Sequence, residues 1–98
     1  MITDVVFHPE AEAEFREAVL WYGNQHKGLD IEFARCVDDA IQKIKRNPIL
    51  FPVEFDYYRK KVVRRFPFQI IYEASEKHIY ILAVFHSRRN PDQFRSRK

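Results

Sequence analysis

The chain has 98 residues, 46% hydrophobic and 32% charged, so it is expected to fold as one globular domain over residues 1–98 rather than stay disordered or divide. Two glycines and five prolines exclude collagen-like and linker-like chains; the lone Cys36 excludes an internal disulfide and fits a reducing cytoplasm. A net charge of +3 conceals a division: residues 1–58 carry six Lys/Arg against eleven Asp/Glu (−5), and residues 59–98 carry eleven against three (+8).

Residues 2–7 are short and β-rich and read as a strand that His8-Pro9 ends. The N-terminus, Met1-Ile2-Thr3-Asp4, lacks a basic stretch leading to an apolar one, so no signal peptide is expected. Pro9 suits the first turn of a helix, and Glu10, Glu12 and Glu14 suit its positive end as a solvated acidic turn. Ala11, Phe15, Ala18 and Tyr22 follow 4-3-4 spacing with Val19 beside them, one apolar helical face, and Gly23-Asn24 is its stop.

A second helix starts near Leu29-Asp30, with Leu29, Phe33, Val37, Ala40, Ile41 and Ile44 on its apolar face. Cys36 borders that face as a small buried hydrophobe. Lys43, Lys45 and Arg46 fill the last turn, and Asn47-Pro48 ends the helix. The short link between the helices predicts an antiparallel hairpin.

Residues 49–58 read as an aromatic, proline-containing connection docked by Phe51 and Phe55. Three strands follow, at 60–65, 68–73 and 78–86, the last apolar on both alternating faces and therefore central. The expected fold is α+β in the order β-α-α-β-β-β, a helical hairpin on one face of a small, mostly antiparallel sheet, the other face open or capped by the basic tail. Whether the first strand returns to the edge or the centre of the sheet stays open.

No apolar run approaches the ~18 residues of a membrane span. His8, His26, His78 and His86 are scattered and give no metal-ligand spacing, the two glycines form no phosphate loop, and no cofactor is implied. What remains is basic. Arg59, Lys60, Lys61, Arg64 and Arg65 flank one strand; Arg88, Arg89, Arg95, Arg97 and Lys98 follow the last. If these ends converge, they form a cationic patch with His86 at its margin. Such a patch would grip the phosphates of a polyanion or the carboxylates of an acidic partner; the plainer reading is a solvated basic sheet edge that blocks aggregation. His86 is either a general acid/base or a strand-end histidine with a structural hydrogen bond.

Several segments, in order and over nearly the whole chain, resemble the RelE/ParE superfamily of toxins from type II toxin–antitoxin (plasmid-stabilisation) systems. They are Phe7-His8-Pro9-Glu10-Ala11, Trp21-Tyr22, Gly28-Leu29 leading to Phe33, Asn47-Pro48, Arg65-Phe66-Pro67-Phe68-Gln69-Ile70-Ile71-Tyr72, and Ala83-Val84-Phe85-His86-Ser87-Arg88-Arg89-Asn90-Pro91. The resemblance implies the fold read above, a cytoplasmic bacterial or archaeal protein, and a cognate antitoxin encoded beside it. It also implies one of two targets. RelE-like members cut mRNA on the ribosome without a metal, and ParE-like members poison DNA gyrase.

Nuclease members usually carry an Arg where this chain has Gln69, an Arg matched by Arg88, and a tail Tyr whose nearest match is Phe94. Gln supplies no fixed charge and Phe no hydroxyl. The expectation is a gyrase-directed toxin; the alternatives are a metal-independent endoribonuclease using Arg64, Arg65, His86 and Arg88, or a non-toxic homologue that keeps antitoxin binding. An acidic, amphipathic antitoxin tail would contact Val19 and Tyr22 and the basic residues Arg59, Lys60, Lys61, Arg64, Arg65, Arg88 and Arg89, with Phe15 left in the core.

Overall fold

The computed structural model describes residues 4–97. Ile2 and Thr3 of the first expected strand, the N-terminal stretch read for a signal peptide, and Lys98 of the basic tail lie outside the described residues. The first strand, β1, is Asp4–Phe7. His8 caps the first helix, its Nδ1 accepting from the Glu10 N–H at 3.0 Å, and Pro9 occupies the first turn, where a missing N–H costs nothing. This helix, α1, runs Pro9–Gln25, through the expected stop at Gly23-Asn24. Gly28, at φ 87°, takes the left-handed backbone that opens α2, Leu29–Arg46. Asn47-Pro48 closes α2 where expected.

Four more strands follow: β2 Val53–Phe55, β3 Tyr58–Val63, β4 Phe68–Ala74 and β5 His78–His86. They form one five-stranded sheet in the order β1-β5-β4-β3-β2. Three pairings are antiparallel, and β1 pairs with β5 in parallel, Asp4 opposite His78 through Phe7 opposite Ile81. The first strand therefore returns to an edge. The fold is α+β with a helical hairpin on a mixed, mainly antiparallel sheet.

Two details differ from the sequence expectation. β2 lies inside the stretch read as a connection: it is three residues long, too short for a period to register. The strand expected over 60–65 is displaced to Tyr58–Val63, which places Arg64 and Arg65 in the β3–β4 turn. Phe66-Pro67 forces the reversal there; Arg65 adopts φ 75°, and the Phe68 N–H closes on the Phe66 carbonyl at 2.8 Å.

β5 is central and buried on both faces, as its sequence requires. Ile79, Ile81 and Val84 point into the larger core with Phe33, Val37, Ile44, Ile70 and Tyr72 beneath the helices. Leu82, Ala83 and Phe85 pack on the other side with Phe55, Ile71 and Phe94. Ile71 pairs with Ala83 and Tyr72 with Ile81, so a bulge leaves Leu82 of β5 without a partner and lets the consecutive Leu82 and Ala83 serve the same face. Phe94 comes from a 3-10 turn, Pro91–Phe94, so the tail caps the helix-free face. Tyr22, Phe33, Phe66 and Phe68 form an aromatic cluster with centroid separations of 4.8–6.1 Å, which pins the hairpin to the β3–β4 turn.

Candidate functional site

The register Val63–Phe68–His86 brings the β3–β4 turn and the end of β5 to the same end of the sheet. β1 reaches only as far as Ile81, so the rest of β5 has no strand beside it on that side. Side chains take over. Glu14 of α1 accepts the Val84 N–H at 3.1 Å, and Arg97 donates to the Leu82 carbonyl at 3.0 Å. The two side chains also bind each other, Arg97 Nη1 to Glu14 Oε1 at 3.0 Å and Nη2 to Oε2 at 2.9 Å. Both are largely buried, at 15% and 11% exposure, and the guanidinium lies 4.6 Å above the Phe94 ring. Arg89 approaches Glu14 at 3.6 Å and bonds Gln93 at 2.8 Å. Glu14 was expected in a solvated turn. It is instead drawn inward by the unpaired ladder groups of β5, a demand that sequence periodicity does not display.

Beside this clamp, α1 and the ends of β4 and β5 enclose a cleft of about 570 Å³. Its walls are apolar at Trp21, Phe68 and Val84, with the imidazole of His86, the guanidinium groups of Arg88 and Arg89 and the carboxylates of Glu14 and Glu17 around them. Trp21 is 58% exposed and stands edge-on to Tyr22 at 5.1 Å. His86 packs edge-on to Phe68, and its Nδ1 accepts the Arg88 N–H at 3.0 Å. The neutral ring therefore carries its proton on Nε2. The Arg88 guanidinium, exposed at the rim, has no hydrogen bond or ion pair among the described residues.

The other basic residues divide among different surroundings. Arg59 donates to the Phe51 carbonyl at 2.8 Å, Lys60 pairs with Glu54 at 3.1 Å, and Lys61 sits 4.8 Å over the Phe51 ring. All three fasten β3 to β2 and the segment before it. Arg65 pairs with Glu32 of α2 at 2.7 Å, and Arg64 beside it has no anionic partner. Arg64 and Arg65 face a groove along α2, whereas Arg88 and Arg89 face the α1 cleft. The anticipated patch is thus split into three.

Of the two aromatic and aliphatic contacts expected on α1, Val19 is half-buried and Tyr22 is buried, the latter with its phenol pKa raised by that burial. Phe15 packs on the core. The exposed apolar side chains of α1 are Leu20 and Trp21. Their signal in the sequence is that they fall off the Ala11–Phe15–Ala18–Tyr22 stripe and are apolar all the same. Among the described residues, no group of three His, Cys, Asp or Glu side chains is placed to hold a metal, and no helix is long and apolar enough to cross a membrane.

Residues 5–91 match the family model of the ParE toxin of type II toxin–antitoxin system, parDE. The chain belongs to the ParE toxin family. It is 29% identical over 86 residues to Toxin ParE2 of Mycobacterium tuberculosis (strain CDC 1551 / Oshkosh), covering 87% of this chain and 82% of that protein. The same figures hold for Toxin ParE2 of strain ATCC 25618 / H37Rv. In structure the chain resembles one from "Chromosomal ParDE TA system from P. aeruginosa", with TM-score 0.61 and 18% identity, covering 87% of this chain and 96% of the other. It also resembles one from "YoeB-YefM complex from Staphylococcus aureus", with TM-score 0.60 and 16% identity, covering 88% and 99%. At those identities the likeness establishes a shared fold, that of the RelE/ParE superfamily. This ParE-family chain is thus a type II toxin–antitoxin toxin by descent.

Proposed function

We propose that this ParE-family toxin acts in the cytoplasm on DNA gyrase rather than as a ribonuclease, and that a cognate antitoxin neutralises it. The choice of target rests on the helix-free face. By strand alternation Gln69 shares that face with its partner Phe85, and Phe94 packs on Phe85 at 4.8 Å. Positions where the nuclease branch would carry an arginine and a tyrosine therefore hold a neutral amide and a buried ring without a hydroxyl. Cleavage of a phosphodiester needs charge stabilisation and proton transfer, and neither side chain supplies them.

For the antitoxin, the α1–β5 cleft offers an exposed indole beside an unpaired guanidinium, which suits an extended or helical segment bearing an apolar anchor and a carboxylate. Expression without the antitoxin is expected to arrest growth, and purified protein to inhibit gyrase supercoiling. Uninhibited supercoiling with mRNA cleavage in a translation extract would instead establish the ribonuclease reading. Absence of toxicity with retained antitoxin binding would establish a decayed homologue.

A further inference from the structure

A groove of about 620 Å³ lies on the far side of the hairpin from the α1 cleft. Ile31, Arg35, Asp39 and Lys43 recur every fourth residue of α2 and form one wall. The β3–β4 turn supplies the other, with Arg64 and Arg65. The groove's two carboxylates are already matched, Glu32 by Arg65 at 2.7 Å and Asp39 by Lys43 at 3.2 Å. Arg35 and Arg64 are exposed and have no anionic partner. Positive charge is crowded here: the Lys61 pKa is lowered, first by burial, then by Lys43, with Asp39 opposing and Arg64 adding to the effect. Between the cations the lining is apolar, with Ile31 63% exposed and Cys36 half-buried.

We propose that this α2–turn groove is a second docking surface, which takes a helical peptide segment carrying acidic residues on either side of an aliphatic one. The carboxylates would meet Arg35 and Arg64, and the aliphatic side chain would cover Ile31 and Cys36. A helix rather than a strand follows from the topology. The groove is lined by α2, its cap and the β3–β4 turn and by no residue of a strand, so it presents no strand edge to extend. A peptide rather than a nucleic acid follows from Glu32 and Asp39, which would lie against phosphates spaced at one charge per ~1.7 Å of duplex. Sparse carboxylates on a helix avoid both. The surface does not depend on the α1 cleft or on the identity of the toxin's target.

Cys36 is the only cysteine in the chain, so its alkylation rate reports on this groove alone. The probe is an acidic amphipathic peptide of roughly 16 residues, long enough to hold some helix in isolation. It is expected to slow Cys36 alkylation in the wild-type protein and to bind less tightly as salt is raised. Arg35→Glu with Arg64→Glu should weaken peptide binding about tenfold or more, while Arg16→Glu with Lys77→Glu, the same charge change elsewhere, should not. Unchanged alkylation at saturating peptide would overturn the proposal, as would equal weakening by both pairs. Protection by duplex DNA but not by the peptide would transfer the groove to nucleic acid. If the Arg35/Arg64 variant fails to fold by circular dichroism, the wild-type alkylation result decides alone.

Discussion

Glu14 and Arg97, 83 positions apart, meet through two hydrogen bonds of 3.0 and 2.9 Å and close the open side of β5. Each also satisfies a backbone group of that strand, and removing either leaves its partner with only a longer ion pair of 3.6 Å, Arg97 with Glu10 or Glu14 with Arg89. Glu14→Gln and Arg97→Met should each cost about 1–3 kcal/mol in urea unfolding. The double variant should cost less than the sum, with a coupling of about 1 kcal/mol or more. Strict additivity would mean that the two act independently.

Arg88 offers the opposite case. Its guanidinium is exposed and without an ionic partner, so Arg88→Glu should leave stability within about 0.5 kcal/mol. Titration calorimetry with the antitoxin should nevertheless find binding at least about tenfold weaker. Trp21→Ala should show the same separation, because the indole is 58% exposed on the toxin alone. Unaltered affinity in both variants would remove the α1–β5 cleft from the antitoxin interface.

Gly28 holds φ 87° in open space, with nothing within 4 Å of where a Cβ would sit. Substitution there is therefore governed by backbone conformation alone. Gly28→Ala should cost about 1 kcal/mol, lowering Tm by roughly 4–8 °C, and Gly28→Asn should cost less because Asn tolerates the left-handed region. Equal losses for the two would point to a clash that the structure does not contain.

The buried Tyr72 phenol donates to the Pro48 carbonyl at 2.7 Å, and burial raises its pKa to about 12. The unfolded chain releases this proton near 10 and the folded one near 12. The folded state thus keeps a proton that the unfolded state has lost, and stability should fall as pH rises from 10 towards about 12. Tyr72→Phe should be less stable at neutral pH by about 1 kcal/mol, for the lost hydrogen bond, and should decline less steeply across that window. Lys61, whose pKa is lowered, contributes with the opposite sign in both proteins, so the difference between them isolates Tyr72.

The helices, the central strand and its burial on both faces were legible because long periodic runs report their own environment. In β5 the unbroken apolar run Ile79–Phe85 marks a strand covered on both faces, although the bulge at Leu82 that breaks its alternation left no trace in the sequence. β2 escaped because three residues carry no period, and the β3 boundary slipped because Arg64 and Arg65 read equally well as strand or turn. The candidate site was legible in composition but not in arrangement. Sequence shows how many arginines there are, but not that Glu32, Glu54 and Glu14 neutralise three of the cations read as one patch. It equally hides the need that pulls Glu14 inward, since that need arises from β1 ending at Phe7.

The parallel pairing of β1 with β5 has a temporal meaning as well as a spatial one. β1 lies beside β5, which is made some seventy residues later, with Asp4 fixed opposite His78. Phe7 meets Phe15 of the adjacent α1, but the strand pairing of β1 waits for β5, and such distant pairing forms late because its loop-closure entropy must be met before any contact rewards it. The sheet edge, the shared core under Ile79 and Ile81, and the Glu14–Arg97 clamp are therefore completed only once β5 and the residues through Arg97 have been made. A nascent chain cut short before β5 lacks the α1–β5 cleft altogether. The finished fold and the surface read here as the antitoxin's thus come into being in the same step.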